Sequence, residues 1–210
     1  WRSLGIEPAA VVGHSQGEVG AAVVAGVLSL EDGAKVIVAR SKLTLRISGK
    51  GAMAAVQMDQ EALEERLKRF DGDLCVAVVN TPTSLVFSGS VDNVDALVAE
   101  FQAENIFCRK VRADYASHSS QMDVLLEDLR EALEGIAPQP GQLPLVSSVT
   151  GERIEGGECT AEYWCRNLRQ PVRFELAAQT LLESGHGVFI EVGAHPVLLM
   201  PLTTLCGESG

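Results

Sequence analysis

The stretch Val11-Val12-Gly13-His14-Ser15-Gln16-Gly17-Glu18 constrains this chain more than any other, because a G-x-S-x-G pentapeptide joins a β-branched apolar run to a stretch of small residues. A strand that turns at once into a helix strains the backbone at the apex, and glycine on each flank avoids the crowding that a Cβ would bring. Such an elbow lifts the Ser15 hydroxyl clear of the sheet. It also sets the Gln16 N–H at a helix N-terminus, where it can donate to a developing oxyanion. Ser15 is therefore a candidate nucleophile for acyl chemistry and Gln16 a candidate oxyanion donor, although a Gly-Ser turn without chemistry would use the same glycines.

The chain has 210 residues, enough for one sizeable core, and with 46% hydrophobic and 21% charged residues it is globular rather than disordered. A net charge of −11 disfavours nonspecific nucleic-acid binding, yet one placed cation can still decide a pocket for an anionic substrate. The longest apolar run, Val19 to Leu28, is broken by Gly20 and Gly26, so neither a membrane span nor a signal peptide is expected. Cys75, Cys108, Cys159, Cys165 and Cys206 show no C-x-x-C spacing, which argues against a metal site or a disulfide framework and for reduced thiols in a cytoplasmic protein. The opening at Trp1, without an initiator Met, reads as a piece of something longer.

Along the chain, Ala10 to Val12 reads as a short buried strand, Glu18 to Val27 as a helix, and Ser29 as the cap of a second helix running to about Arg46. Strands over Met53–Met58, Leu74–Val79, Leu85–Ser88 and Ile106–Val111 alternate with helices capped by Asp59 and Ser90. The order β-α-β-β-α-β is ferredoxin-like. Residues 51–112 are thus expected to form a small subdomain inserted into a large α/β subdomain made of residues 1–50 and 113–210. In the second part of the large subdomain the pattern predicts a helix over Ser119–Leu133, a strand over Leu145–Val149 and a Gly-rich loop over Glu152–Thr160. A helix over Phe174–Ser184, an apolar strand over Gly187–Val192 and a final helix after Pro196 complete the series.

A serine hydroxyl needs a base within hydrogen-bond reach. His14 adjoins Ser15 but points along the neighbouring direction of the turn, His186 reads as a helix terminator, and His195 before Pro196 suits a structural turn at least as well as a catalytic role. His118, in Asp114-Tyr115-Ala116-Ser117-His118-Ser119, stands where the chain leaves the small subdomain, and such junctions line clefts. Taken alone it suits a cap or a surface position; combined with Ser15 it is the best base. Arg40 can be a snorkelling side chain or an internal ion-pair partner, or it can grip a substrate carboxylate in a bidentate fork.

In order, these pieces resemble the malonyl-type acyltransferase family, which includes standalone malonyl-CoA:acyl-carrier-protein transacylases and the acyltransferase domains of type I polyketide and fatty acid synthases. The matching residues are Gly13-His14-Ser15-Gln16-Gly17-Glu18, Ala39-Arg40-Ser41, Val78-Val79-Asn80-Thr81-Pro82 with Ser88-Gly89, Tyr115-Ala116-Ser117-His118-Ser119, Tyr163-Trp164 with Asn167 to Phe174, and Glu191-Val192-Gly193-Ala194-His195-Pro196.

The resemblance implies an α/β-hydrolase-like large subdomain with an inserted ferredoxin-like small one. It implies that Ser15 is acylated, that His118 is the general base, that Arg40 pairs with the extender carboxylate and that the Gln16 N–H is one oxyanion donor. A backbone carbonyl in the Pro171-Val172-Arg173 stretch would orient the histidine, giving a dyad rather than a triad. The donor would be an acyl-CoA and the acceptor the phosphopantetheine of an acyl carrier protein. No cofactor would be bound by the domain itself, and a ketosynthase and other synthase domains would flank it in a multifunctional enzyme. Tyr115-Ala116-Ser117-His118 accompanies methylmalonyl selection in the family, whereas His-Ala-Phe-His accompanies malonyl: Ser117 leaves room for the α-methyl group and Tyr115 braces the wall. Methylmalonyl-CoA is therefore expected over malonyl-CoA. A G-Q-G-S/A segment that completes the family's oxyanion hole upstream of the serine is absent, as if the chain started late relative to complete domains. The competing readings are a serine hydrolase or esterase, which needs an acid for its histidine, and a noncatalytic docking segment of a megasynthase.

Overall fold

In the computed structural model, which describes residues 1–208, the elbow lies between strand β1 (Val11–Val12) and helix α1 (Gly17–Val24). The helix ends before Val27 because Ala25 caps it and Gly26, at φ +75°, turns the chain aside. Helix α2 (Leu30–Thr44) begins at the expected cap: Ser29 Oγ accepts from the Asp32 N–H at 2.9 Å, and Glu31 and Asp32 in the first turn favour the helix dipole.

A second sheet follows, from β2 (Ala52–Gln57), α3 (Gln60–Leu67), β3 (Cys75–Thr81), β4 (Ser84–Gly89), α4 (Val91–Ala103) and β5 (Cys108–Lys110). The strand order β5-β2-β4-β3 with all three pairings antiparallel is the ferredoxin-like arrangement. Side chains sort by period 2: Ala52, Ala54 and Val56 pack with Leu63, Leu97 and Phe101 on the helix side, while Met53 faces the other way. Phe87 and Phe101 meet edge-on at 6.2 Å, and each aromatic buried this way contributes about 1.5–3 kcal/mol. A register shift between Val76 and Val78 lets the consecutive residues Ala77 and Val78 both join the opposite face. Ser90 stands at the start of α4, but its hydroxyl donates to Asp73, which also takes the Ser90 N–H and the Asn93 amide.

The remaining elements are α5 (Leu126–Ala132), β6 (Leu145–Val146), β7 (Arg153–Ile154), α6 (Ala161–Arg169), β8 (Val172–Arg173), α7 (Phe174–Glu183) and α8 (Leu199–Glu208). Strand β1 runs parallel to β6, and β7 adds antiparallel to give the order β1-β6-β7. Val19, Val36, Leu43, Leu129, Leu145, Trp164 and Leu168 form the core of this part. Strand β8, outside residues 51–112, extends the ferredoxin-like sheet beside β3 in parallel, and Phe174 and Ala178 of α7 with Leu205 of α8 cover the face bearing Met53 and Val78.

Four expectations are corrected. Residues Ser120–Leu125 form a 3-10 segment before α5, so the helix predicted from Ser119 starts as a tighter coil. The strand expected to reach Val149 stops at Val146, because the Ser147 carbonyl closes a turn on the Gly151 N–H at 2.9 Å and the Ser148 N–H goes to the Glu18 carboxylate. The Gly-rich loop over Glu152–Thr160 contains β7. Gly187–Val192 is not a strand: none pairs with it among the described residues, Val188 and Val192 are 86% and 82% exposed, and an extended segment without a ladder has no hydrogen-bonded frame. The Glu191 carboxylate instead accepts from the Val197 and Leu198 N–H groups at 2.8 and 3.1 Å, at the entry to α8. No helix among the described residues is long and apolar enough to cross a membrane.

Candidate active site

Ser15 sits at the apex with φ +53°, in the left-handed region that a side chain seldom adopts. The two flanking glycines differ. A Cβ on Gly13 would lie 2.1 Å from the Glu18 Cα, so the approach of β1 to α1 requires glycine there. A Cβ on Gly17 would meet nothing within 4 Å, which corrects the expectation that both flanks need it. Gln16 is the N-cap of α1; the N–H groups of Gly17, Glu18 and Val19 close onto the His14, Ser15 and Gln16 carbonyls, and that of Gln16 donates to no protein group among the described residues.

Ser15 Oγ lies 2.8 Å from His118 Nε2, although the two residues are 103 positions apart. His118 also has a positive φ, +61°, and small-subdomain strands pin its loop: Ser88 Oγ donates to the Ser117 carbonyl at 2.9 Å and Cys75 Sγ to the His118 carbonyl at 3.4 Å. His118 Nδ1 faces the Gln170 carbonyl at 2.7 Å, so the orienting group is one residue before the Pro171-Val172-Arg173 stretch that the resemblance implied. Burial, reinforced by the charge of Arg40, pushes the His118 imidazole down to about 3. It is therefore neutral at ordinary pH and able to accept a proton. Two acids that a hydrolase reading could offer to a histidine are engaged elsewhere: the Asp114 carboxylate accepts from Ser48, and Glu191 caps the entry to α8.

Arg40, from the middle of α2, is 5% exposed and donates Nη2 to Ser15 Oγ at 3.1 Å. Among the described residues it forms no ion pair, which removes the internal ion-pair reading. Burial lowers it to about 10, leaving it a cation at neutral pH. Its Nη1 donates to Asn167 Oδ1 at 2.7 Å and its Nε has no partner among the described residues.

Behind Arg40 lies a polar cluster that sequence reasoning missed. Glu18 is fully buried, and its carboxylate accepts from the Ser148 N–H at 3.1 Å, the Ser148 and Tyr163 hydroxyls and Asn167 Nδ2 at 3.1 Å. Burial raises the carboxyl above its usual range, and the Ser148 and Tyr163 donors oppose that shift. Glu18 and Asn167 stood in the quoted motifs, but nothing in the one-dimensional pattern placed them in contact across 149 positions.

Ser117 is 6% exposed, next to His118, and Tyr115 is half-buried against the helical core within electrostatic reach of Arg40. His14 bonds through Nε2 to Asn80 Oδ1 at 3.0 Å and tilts against the Phe174 ring, while burial lowers its basicity. His195 is exposed, and Gly185 at φ +86° rather than His186 makes the turn after α7. No group of three or more His, Cys, Asp or Glu side chains suited to a metal occurs among the described residues. A cavity of about 350 Å³ between α1 and α2, lined by Val19, Val23, Ile37 and Val38, and one of about 560 Å³ beside Glu61, Glu64 and Glu175, both lie away from Ser15. The contacts on the serine, not cavity size, mark the candidate site.

The family model described as the acyl transferase domain matches residues 1–206. Polyketide synthase GfsB of Streptomyces halstedii is 47% identical over 211 residues, spanning 100% of this chain and 4% of that protein. The acyltransferase domain from module 8 of the salinomycin polyketide synthase superposes with a TM-score of 0.94 at 46% identity, over 97% of this chain and 48% of that one. A loading acyltransferase from the avermectin modular polyketide synthase gives 0.97 at 40% identity, over 99% of this chain and 67% of that one.

Proposed function

Since this chain belongs to the acyl transferase domain family, we propose that it loads a carboxyacyl extender unit from CoA, through an acyl-Ser15 intermediate, onto the phosphopantetheine thiol of an acyl carrier protein in polyketide or branched fatty acid synthesis. The observation that carries this reading is the pair of contacts on one oxygen: Ser15 Oγ has the His118 Nε2 at 2.8 Å and the Arg40 Nη2 at 3.1 Å. A base alone suits any ester. A buried guanidinium with no acid of its own suits a substrate that brings a carboxylate.

In the first half-reaction His118 takes the Ser15 proton as Oγ attacks the thioester carbonyl, and the oxyanion accepts from the Gln16 N–H at the start of α1. The carbon–sulfur bond breaks, and CoA leaves with the proton returned by the imidazolium. In the second, the carrier-protein thiol gives its proton to His118 and attacks the ester. Ser15 then departs as the hydroxyl, receiving that proton. Arg40 holds the carboxylate in a fork throughout and fixes the acyl group against Ser15. The domain binds no cofactor of its own in this scheme, since CoA is the donor and phosphopantetheine belongs to the carrier protein. The setting is a cytoplasmic multidomain synthase with a neighbouring ketosynthase. Methylmalonyl-CoA is the preferred donor in this reading: Ser117, buried and next to His118, would leave room for the α-methyl group, and Tyr115 would brace the wall.

The test is intact-mass measurement after incubation with methylmalonyl-CoA, malonyl-CoA and propionyl-CoA. A methylmalonyl adduct that disappears in Ser15→Ala is the expected result. Absence of any adduct supports a docking segment, and brisk hydrolysis of uncharged esters that is indifferent to Arg40→Ala supports an esterase.

A further inference from the structure

Two buried groups that the proposed half-reactions leave without a task, Glu18 and Asn167, stand in line behind Arg40. An arginine only donates, so the 2.7 Å contact of Arg40 Nη1 identifies the near atom of the amide as Asn167 Oδ1. Asn167 Nδ2 is then turned to Glu18 Oε2 at 3.1 Å, and it also reaches the Ser15 carbonyl at 3.4 Å. Glu18 cannot swing away, because Ser148 holds it through main-chain N–H and hydroxyl and Tyr163 through its phenol. Arg40 has many rotamers, and among the described residues it has no ion pair to choose among them and no partner for its Nε. The amide supplies the choice. It also supplies it without a formal charge: a carboxylate at position 167 would hold the guanidinium equally well but would neutralise it, whereas an amide oxygen leaves the positive charge for an incoming anion.

We propose that Asn167 is a positioning residue whose amide, oriented by Glu18, aims the Arg40 guanidinium at the Ser15 hydroxyl and keeps its charge unspent for the carboxylate of the substrate. The inference rests on the acyltransferase reading above and extends it to a residue that touches neither donor nor acceptor.

The experiment compares kcat/KM for methylmalonyl-CoA with that for propionyl-CoA, the same acyl chain without the carboxylate, in the full-length protein carrying this chain. In Asn167→Ala and Asn167→Asp the ratio of the two falls by about 10–100-fold, the loss expected for a charge-assisted contact, and in an Arg40→Ala background Asn167→Ala lowers the ratio no further. In Asn167→Asp the fall is carried by KM for the carboxylated donor, because the new charge competes for the guanidinium. This isosteric variant decides the question if the alanine variant does not fold. Equal losses for both donors, or a full additional loss of the ratio in the Arg40→Ala background, overturn the inference. Wild-type protein that forms no acyl-Ser15 from any carboxylated donor overturns the acyltransferase reading together with it. Wild-type acylation with an unchanged ratio in both variants overturns this inference alone.

Discussion

Gln170 presents its main-chain oxygen to His118 Nδ1 at 2.7 Å. A carbonyl only accepts, so Nδ1 carries the proton and Nε2 is left as the acceptor facing Ser15 Oγ. The orienting group is uncharged; its hydrogen bond fixes the tautomer and favours the protonated ring, but less than burial and the charge of Arg40 depress it. His118→Ala is expected to slow acyl-Ser15 formation by about 10²–10⁴-fold, the range of a positioned general base, with Ser15→Ala giving no adduct at all. Time-resolved intact-mass spectra measure both. An alanine variant at His118 that acylates at the wild-type rate would remove the histidine from the mechanism.

The pH behaviour follows from the same side chain. With its folded value near 3, far below the ordinary 6.5, the imidazole is the free base throughout the physiological range. The rate of Ser15 acylation should therefore show no inflection between about pH 5 and 8. Stability carries a different signature. Between the folded and unfolded values the unfolded chain binds a proton at His118 and the folded chain does not, so the histidine's contribution is intact above about pH 6.5 and is lost as pH falls toward 3. Denaturant midpoints measured across that window should fall with pH, and His118→Gln should flatten the slope. An acylation rate that titrates near 6.5 would show an accessible, unperturbed histidine instead.

The two glycines of the elbow separate cleanly by experiment. Gly13→Ala drives a Cβ to 2.1 Å from a backbone carbon of Glu18, and backbone cannot yield as a flexible side chain can. Overpacking of this kind costs at least about 1–3 kcal/mol and pulls α1 away from Ser15. Gly17→Ala meets open space in the first turn of α1, where exchange of glycine for alanine stabilises by up to about 1 kcal/mol. Urea denaturation of the two variants is the measurement. Similar losses in both would contradict the open space beside Gly17.

Much of this arrangement was legible in order of sequence because its signals are local. The elbow, the Ser29 cap and the β-α-β-β-α-β alternation each depend on residues within a turn or two of one another. The strand expected over Gly187–Val192 was misread because an apolar run specifies extended backbone only if a ladder is present to receive it. The site shows the same division. Ser15, His118 and Arg40 are chemically distinctive residue types at recognisable positions, whereas Glu18 and Asn167 are ordinary polar residues whose task exists only once α1 and α6 pack together. The strain at Ser15 is announced by the elbow motif, whereas the positive φ of His118 has no such local motif around it.

The proposed extender choice makes volume at one buried position the quantity to vary. Ser117 is 6% exposed and precedes the base by one residue, and in the proposed reading a larger side chain there takes the space of the α-methyl group. Ser117→Phe, with Tyr115→His to relieve the adjoining wall, is expected to move the kcat/KM ratio from methylmalonyl-CoA toward malonyl-CoA. A single methyl group is worth only about 1–3 kcal/mol, so the shift is bounded at about 10–200-fold and selection is biased rather than absolute. Phenylalanine could instead overpack the loop that Ser88 and Cys75 hold. The two outcomes differ in kind. Loss of space for the methyl lowers the methylmalonyl rate and spares malonyl, while a displaced His118 lowers both together. A common loss would therefore dissociate Ser117 from selection and return it to a purely structural role in the histidine loop.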